Sequence, residues 1–146
     1  MYPDDGFREL SRQECLRFLP KVPVGRVVFT RQALPAVLPV NFGTADDGAV
    51  LLRTSVASAL VSAIAGAVVA FEADEFDALA HSGWSVVVTG TATLVTDPDE
   101  HARLLREGPR AWHPAPDDVF VRVAPELVTG RELVDGRTPY GGRLST

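Results

Sequence analysis

The sequence predicts a closed antiparallel β-barrel with a few short helices across its ends, and three observations predict it. About six apolar, β-branched runs are separated by turn-forming residues, with no regular alternation of strand and helix, which excludes a doubly wound parallel sheet. One of those runs, Ala33 to Phe42, contains Pro35 and Pro39. Proline cannot donate to a ladder, so this run must lie at an edge or carry bulges where its backbone faces something other than a neighbouring strand, a ligand for instance. Finally, 146 residues, 46% hydrophobic and 23% charged, suffice for one domain with a sizeable core and are short for two. The domain is expected over residues 1–134. Residues 135–146, rich in Gly, Arg, Thr and Ser, are expected to be loose or to lean on a partner subunit.

Each element has its own local reason. Ser11 followed by Glu14 is a capping-box signature, and Cys15, Leu16, Phe18 and Leu19 continue it as an amphipathic helix that Pro20 and Pro23 stop. Gly25 to Thr30 reads as a strand, joined to the proline-bearing strand by a turn near Arg31 and Gln32. Ala45 to Gly48 is a turn into the strand Ala49 to Arg53. Ala57 to Ala65 is a small-residue helix closed by Gly66, and Ala67 to Asp74 is a strand followed by a loop from Phe76 to His81. Trp84 to Val95 makes a long strand in which Gly90 marks a bulge or a close approach by another backbone. Asp97, Pro98, Asp99 and Glu100 start a helix that runs to about Glu107. A proline-rich loop from Gly108 to Asp118 then leads to strands at Val119 to Ala124 and Leu127 to Leu133.

Composition narrows the function classes. A formal net charge of −5 and a pI near 5.1 argue against a binder of phosphate backbones, so no nucleic-acid partner is expected. The longest apolar candidate, Val56 to Phe71, is interrupted by Ser58, Ser62 and Gly66 and is too short for a membrane span, and the first residues lack the pattern of a signal peptide. A cytoplasmic location is expected. Cys15 is the single cysteine, read as a small helix residue rather than a nucleophile, and His81, His101 and His113 show no metal-ligand spacing, so no metal site is expected.

The chemistry concentrates where the apolar run from Ala49 ends in Arg53, Thr54 and Ser55. A planar guanidinium and two hydroxyls at a strand exit can present donors to a phosphate; the plainer reading is a surface arginine beside helix-capping hydroxyls. Glu72, Asp74, Glu75 and Asp77 form an acidic run, either catalytic or a solvated strand end and loop. No nucleophile elbow or glycine-rich phosphate loop is present, and no catalytic residue is identified. Phosphate-type donors without an evident acid, base or nucleophile fit a protein whose cofactor brings its own reactivity.

Six segments in register, Leu10 to Leu16 (LSRQECL), Val24 to Thr30 (VGRVVFT), Leu34 to Phe42 (LPAVLPVNF), Leu52 to Ser55 (LRTS), Val69 to Asp74 (VAFEAD) and Gly83 to Gly90 (GWSVVVTG), resemble the pyridoxamine 5'-phosphate oxidase-like FMN-binding proteins of actinobacteria. The resemblance implies a mainly β, α+β fold, a six-stranded antiparallel split β-barrel with short flanking helices. It also implies a homodimer holding flavin mononucleotide between its subunits and passing hydride or electrons to a small organic substrate. Carried over, Pro39, Val40 and Asn41 would lie along the isoalloxazine through their backbone, and Arg53, Thr54 and Ser55 would contact ribityl and phosphate oxygens. Trp84 and Ser85 would approach the flavin from the long strand, although Trp84 also reads as a core tryptophan. Trp112 and Arg122 are candidates donated by the other subunit. Where many relatives read Gly-Ser-Lys-Leu, this chain carries Ser58, Ala59 and Leu60, with Ala59 in the place of a phosphate-binding lysine. The groove therefore also admits a deazaflavin or haem as alternatives, either in a reductase or in a non-catalytic carrier. Val40, Phe42 and the strand from Val86 to Val95 are expected to leave apolar surface for the second subunit.

Overall fold

The computed structural model describes residues 6–134; the expected tail at 135–146 lies outside the described residues. In chain order the elements are β1 (Phe7–Glu9), α1 (Arg12–Phe18), a 3-10 turn (Leu19–Lys21), β2 (Val24–Arg31), β3 (Leu34–Thr44), β4 (Val50–Ser55), α2 (Ala59–Ile64), β5 (Val68–Asp77), β6 (Ser82–Leu94), α3 (Pro98–Glu107), β7 (Asp118–Val123) and β8 (Leu127–Leu133). The ladder order is β1-β8-β6-β5-β2-β3-β4-β7, and β6 also pairs with β7. Six antiparallel strands, β6-β5-β2-β3-β4-β7, therefore close into the expected barrel, and β8 with β1 is appended to the outer edge of β6. The appended β1 had no recognisable signal in the sequence: it is three residues long and ordered by its ladder to β8.

The switch of β6 from one partner to the other explains Gly90. Gly83 to Thr89 pair with β8 and Ala92 to Leu94 pair with β7, so the chain linking β7 to β8 crosses beside Gly90. A Cβ at Gly90 would stand 1.8 Å from the Ala124 carbonyl oxygen. The close backbone approach read from the sequence is real, and no side chain fits there.

Ser11 caps α1 in a full capping box, accepting from the Glu14 N–H at 3.1 Å while its own N–H donates to the Glu14 carboxylate at 2.9 Å. Cys15 is fully buried against Gly130, and that desolvation pushes its thiol above the ordinary value. The β2–β3 turn falls at Gln32 and Ala33, one residue later than expected, with φ of 53° and 66°. Two left-handed residues suit the twist of a two-residue hairpin but are usually Asn-Gly, so the local signal was weak. The acidic run is also placed differently: β5 continues to Asp77, paired through Glu75↔Trp84 and Asp77↔Ser82, so Phe76 and Asp77 are strand rather than loop. Cross-strand pairing carries Asp77 into the strand despite its poor β propensity, while Phe76 is itself a good strand former.

The barrel interior is filled by Val27, Phe42, Leu52, Phe71, Val86, Val88 and Val123, among others. A second cluster, Leu51, Leu104 and Phe120, lies under α3 on the outside of β4 and β7. Coverage of both faces explains why Val50, Leu51 and Leu52 are all buried, a continuous apolar run rather than an alternating one. It also corrects one expectation. Phe42, Val86 and Val88 are core residues and Val40 packs against them, so of the apolar residues expected at this surface Val87 remains, half-buried on the outward side of β6. The exposed apolar surface instead includes Leu34, Val37 and Leu38 on β3, with Val68 and Leu127 on the same side of the sheet as Val37. Among the described residues, no helix is long and apolar enough to cross a membrane.

Candidate functional site

The barrel opens where β3 and β4 part company. They pair only through Phe42↔Leu52, Gly43↔Leu51 and Thr44↔Val50; beyond that, Leu34 to Asn41 stay on β2 while Arg53 to Ser55 follow β7. The prolines help to enforce the split. The Phe42 N–H donates to the Pro23 carbonyl at 3.2 Å, on the β2 side, so alternation turns the backbone of Pro35, Val37, Pro39 and Asn41 towards the open edge. Continuing the ladder would set Pro39 opposite Ser55 with no N–H to give. What remains beside the split is a run of backbone with no ladder partner among the described residues, offering the Asn41 N–H as donor and the Pro39 and Asn41 carbonyls as acceptors.

A groove of about 300 Å³ occupies the split. One wall is the open edge from Leu38 to Asn41; the other is Arg53, Thr54 and Ser55 with Ser58 and Leu60 at the start of α2. The loop after α3 forms the rim through Arg110, Trp112 and His113. Asn41 fastens that rim, its side-chain amide donating to the Arg110 carbonyl at 3.0 Å. Trp112 stands 62% exposed on it.

Arg53 is set by register. Its outward face on β4 meets Phe120 and Asp118 of β7, giving an Nε contact to Asp118 Oδ2 at 2.9 Å and a guanidinium 5.5 Å from the Phe120 ring. The side chains of Arg53 and Asp118 are only 12% and 3% exposed, and Asp118 also accepts from the Ala115 N–H at 3.2 Å. The two terminal nitrogens of Arg53 make no further hydrogen bond among the described residues. They are left for the groove. Ser55 shares the outward face, but its hydroxyl donates to Asp117 Oδ2 at 3.0 Å. Ser58 caps α2 by accepting from the Leu60 N–H at 2.9 Å.

Eight of the residues singled out in the sequence thus meet in one groove: Pro39, Val40, Asn41, Arg53, Thr54, Ser55, Ser58 and Trp112. Four do not line it. Ala59 is exposed at the first position of α2, one residue beyond its cap. Trp84 is 5% exposed in the core, its ring 5.2 Å from that of Phe18. Ser85 is on the opposite face of β6, in register with Asp74. Arg122 pairs with Asp47 at the β3–β4 turn, and the Ala49 N–H first, then Arg122, hold the Asp47 carboxyl below its ordinary value. Sequence reasoning missed Asp118, Arg110 and His113. For Asp118 the only signal was an acidic pair at the head of an apolar strand.

Another hollow, of about 700 Å³, lies between the β5–β6 tip and the end of β8, beside Glu75, Asp77 and Glu132. Glu132 is held by Arg8 at 2.6 Å and Asp77 by the Leu79 and Ala80 N–H groups. It is larger than the split groove, and its described lining holds carboxylates but no cationic residue. Among the described residues no cluster of three or more His, Cys, Asp or Glu could hold a metal ion.

Six antiparallel strands closed into a barrel that parts between β3 and β4 make this a split-barrel protein. Residues 11–132 match the family profile described as pyridoxamine 5'-phosphate oxidase, and the chain belongs to that family. It is 47% identical over 137 residues to the uncharacterized protein Rv0080 of Mycobacterium tuberculosis, covering 90% of this chain and 89% of that one. Among solved structures, the FAD binding protein of Mycobacterium smegmatis superposes with a TM-score of 0.77 at 36% identity, covering 87% of this chain and 98% of that one. A FAD-binding protein of Mesorhizobium loti superposes with a TM-score of 0.74 at 27% identity, covering 86% and 96% respectively.

Proposed function

We propose that this protein is a flavin-dependent oxidoreductase and that its flavin nucleotide, FMN or the FMN-containing dinucleotide FAD, lies in the groove at the split. The ring system would run along Pro39, Val40 and Asn41, where one N–H and two carbonyls face the edge of the heterocycle. The phosphate end would meet Arg53, Thr54 and Ser58. Bound flavin supplies hydride or electron transfer to a small organic substrate; the chain's own part is to orient the ring, hold the phosphate and exclude water. The open proline-bearing edge opposite the nearly buried Arg53 carries this reading, because the split forgoes ladder hydrogen bonds that β3 and β4 could otherwise share.

A second copy would complete the site. At about 300 Å³ the groove is at the lower limit of small-molecule sites, too small to enclose a flavin nucleotide alone. A row of Val37, Val28, Ala70, Thr89 and Leu127 crosses five strands on the outward face beside it, with Val37 57% and Leu127 58% exposed. Such a row suits a face that a second copy covers. Ser85 on that face would then be offered to the neighbouring groove.

The test is an absorption spectrum of the purified protein, followed by titration with FMN, FAD, a deazaflavin and haem, and sedimentation at micromolar concentration. A flavin spectrum, micromolar flavin affinity and a dimer are expected. Binding of the deazaflavin alone would move the protein to the deazaflavin reductases, and haem alone to the carriers. Binding of none, or tight flavin binding by a monomer, would overturn the shared-groove reading.

A further inference from the structure

We propose that the outward face offered to a second copy is proton-linked: its cluster of Arg26, Glu72 and Asp74 lets two copies dock when it holds one proton and opposes docking when it does not. The inference rests on the dimeric reading above and concerns what controls the dimer. In register, the row Val37, Val28, Ala70, Thr89 and Leu127 is followed two residues along by Pro39, Arg26, Glu72, Val87 and Thr129. Five strands span only about 19 Å, so an interface of about 800 Å² per partner must run further along them than the roughly 7 Å between those rows. A second copy that covers the apolar row therefore covers the cluster beside it.

The cluster is one cation short. Arg26 reaches Glu72 at 3.1 Å and Asp74 at 3.4 Å. The flanking strands add no charge to balance them, because β6 turns Ser85, Val87 and Thr89 to this face and β3 turns Pro39. Arg131, on β8 beyond Ser85, lies over the Phe7 ring at 4.0 Å, with Glu9 opposite it in register. Two-fold symmetry cannot repair the count, since two arginines then face four carboxylates however they cross the interface. Each copy would carry one unmatched charge out of water. A proton on Glu72 leaves Arg26 and Asp74 matched one to one. Burial first, then Asp74, already raises Glu72 to about 7 against the pull of Arg26. Covering the face desolvates it further and favours the protonated acid again. The dimer thus binds more protons than two separate copies, so association strengthens as pH falls through about 7 and weakens as it rises.

The experiment is fluorescence-detected sedimentation of the labelled full-length protein from nanomolar to micromolar concentration, at pH 6 and pH 8 in the same salt, for the wild type, Glu72→Gln and Asp74→Asn. The wild-type dimer dissociation constant is expected to rise about five- to tenfold from pH 6 to pH 8. Either variant removes the surplus charge, so each is expected to dimerise at pH 8 at least as tightly as the wild type does at pH 6, with a change of less than about twofold between the two pH values. Equal wild-type behaviour at both pH values, or a dependence that survives in both variants, would overturn the inference while leaving the dimer standing. A wild type that stays monomeric at pH 6 and micromolar concentration would remove the dimer itself, and the inference with it. Should Glu72→Gln fail to fold, Asp74→Asn decides alone.

Discussion

Two guanidinium–carboxylate clusters on the outer surface of this barrel use the same chemistry to different ends. At the split, Arg53 and Asp118 pair one to one in near-complete burial, 12% and 3% exposed. On the β2–β5 ladder, Arg26 is shared by Glu72 at 3.1 Å and Asp74 at 3.4 Å and is itself 47% exposed. Burial first, then the neighbouring Asp74, raises Glu72 to about 7 despite Arg26. The difference is one of stoichiometry and depth. A matched pair beneath a rim holds an arginine in place for a ligand; two carboxylates competing for one exposed arginine leave an acid that titrates near neutrality.

The comparison breaks most sharply on removing Asp118. Asp118→Ala would strand the Arg53 charge and the Ala115 N–H, and a loss of about 3–5 kcal/mol of stability is expected in chemical denaturation. A double-mutant cycle between Arg53 and Asp118 should give a coupling of about 2–3 kcal/mol, against less than about 1 kcal/mol for Arg26 and Glu72. Equal couplings would erase the distinction.

Next in size is ligand binding. Arg53→Ala is expected to weaken phosphate-bearing flavins by about 1.5–3 kcal/mol, roughly ten- to a hundredfold, with little change for riboflavin in the same titration. Arg26→Ala should weaken neither directly. An equal loss of riboflavin and FMN in Arg53→Ala would mean the arginine shapes the groove without touching phosphate.

A smaller, pH-dependent effect belongs to the exposed cluster. Because Glu72 is raised from the ordinary 4.5 to about 7, the folded protein binds more protons than the unfolded chain between those values. Its contribution to stability is therefore full below about pH 4.5 and is lost as pH rises through 7. Urea midpoints across that window should fall less steeply in Glu72→Gln than in the wild type; an unchanged slope would show that Glu72 does not carry the shift.

The smallest expected change is at residue 59. Ala59→Lys puts a cation within reach of the groove from outside its lining, at a helix start where the dipole opposes it. FMN should tighten by about 1–2 kcal/mol at most, more at low salt than at high, with riboflavin unaffected. An equal gain for riboflavin would show that residue 59 acts on the groove by some route other than the phosphate.

Most of the strands and all three helices were legible because their signals are local. The capping box at Ser11 and Glu14, Pro98 after the Asp97 cap and Gly66 closing α2 each act within a few residues. Pro35 and Pro39 announced an unpaired edge before any partner strand was known. The short β1 and the Gln32–Ala33 turn were not legible, since their conformations come from neighbours rather than from propensity.

For the site the division is similar. The sequence by itself determined which side chains of one strand share a face: with a period of two, Arg53 and Ser55 project together and Thr54 opposite, whatever the fold. It also determined that the run with Pro35 and Pro39 had to lie at an edge or carry bulges. Only the tertiary structure decided what stands across from those residues. Asp118 reaches Arg53 from 65 positions away, and Trp112 shares a groove with Pro39 because the loop after α3 is tied to Asn41. Trp84, equally suggestive in the sequence, packs on Phe18 in the core instead. Register between distant strands is set by barrel closure and by packing on both faces of β4, and no local pattern encodes either.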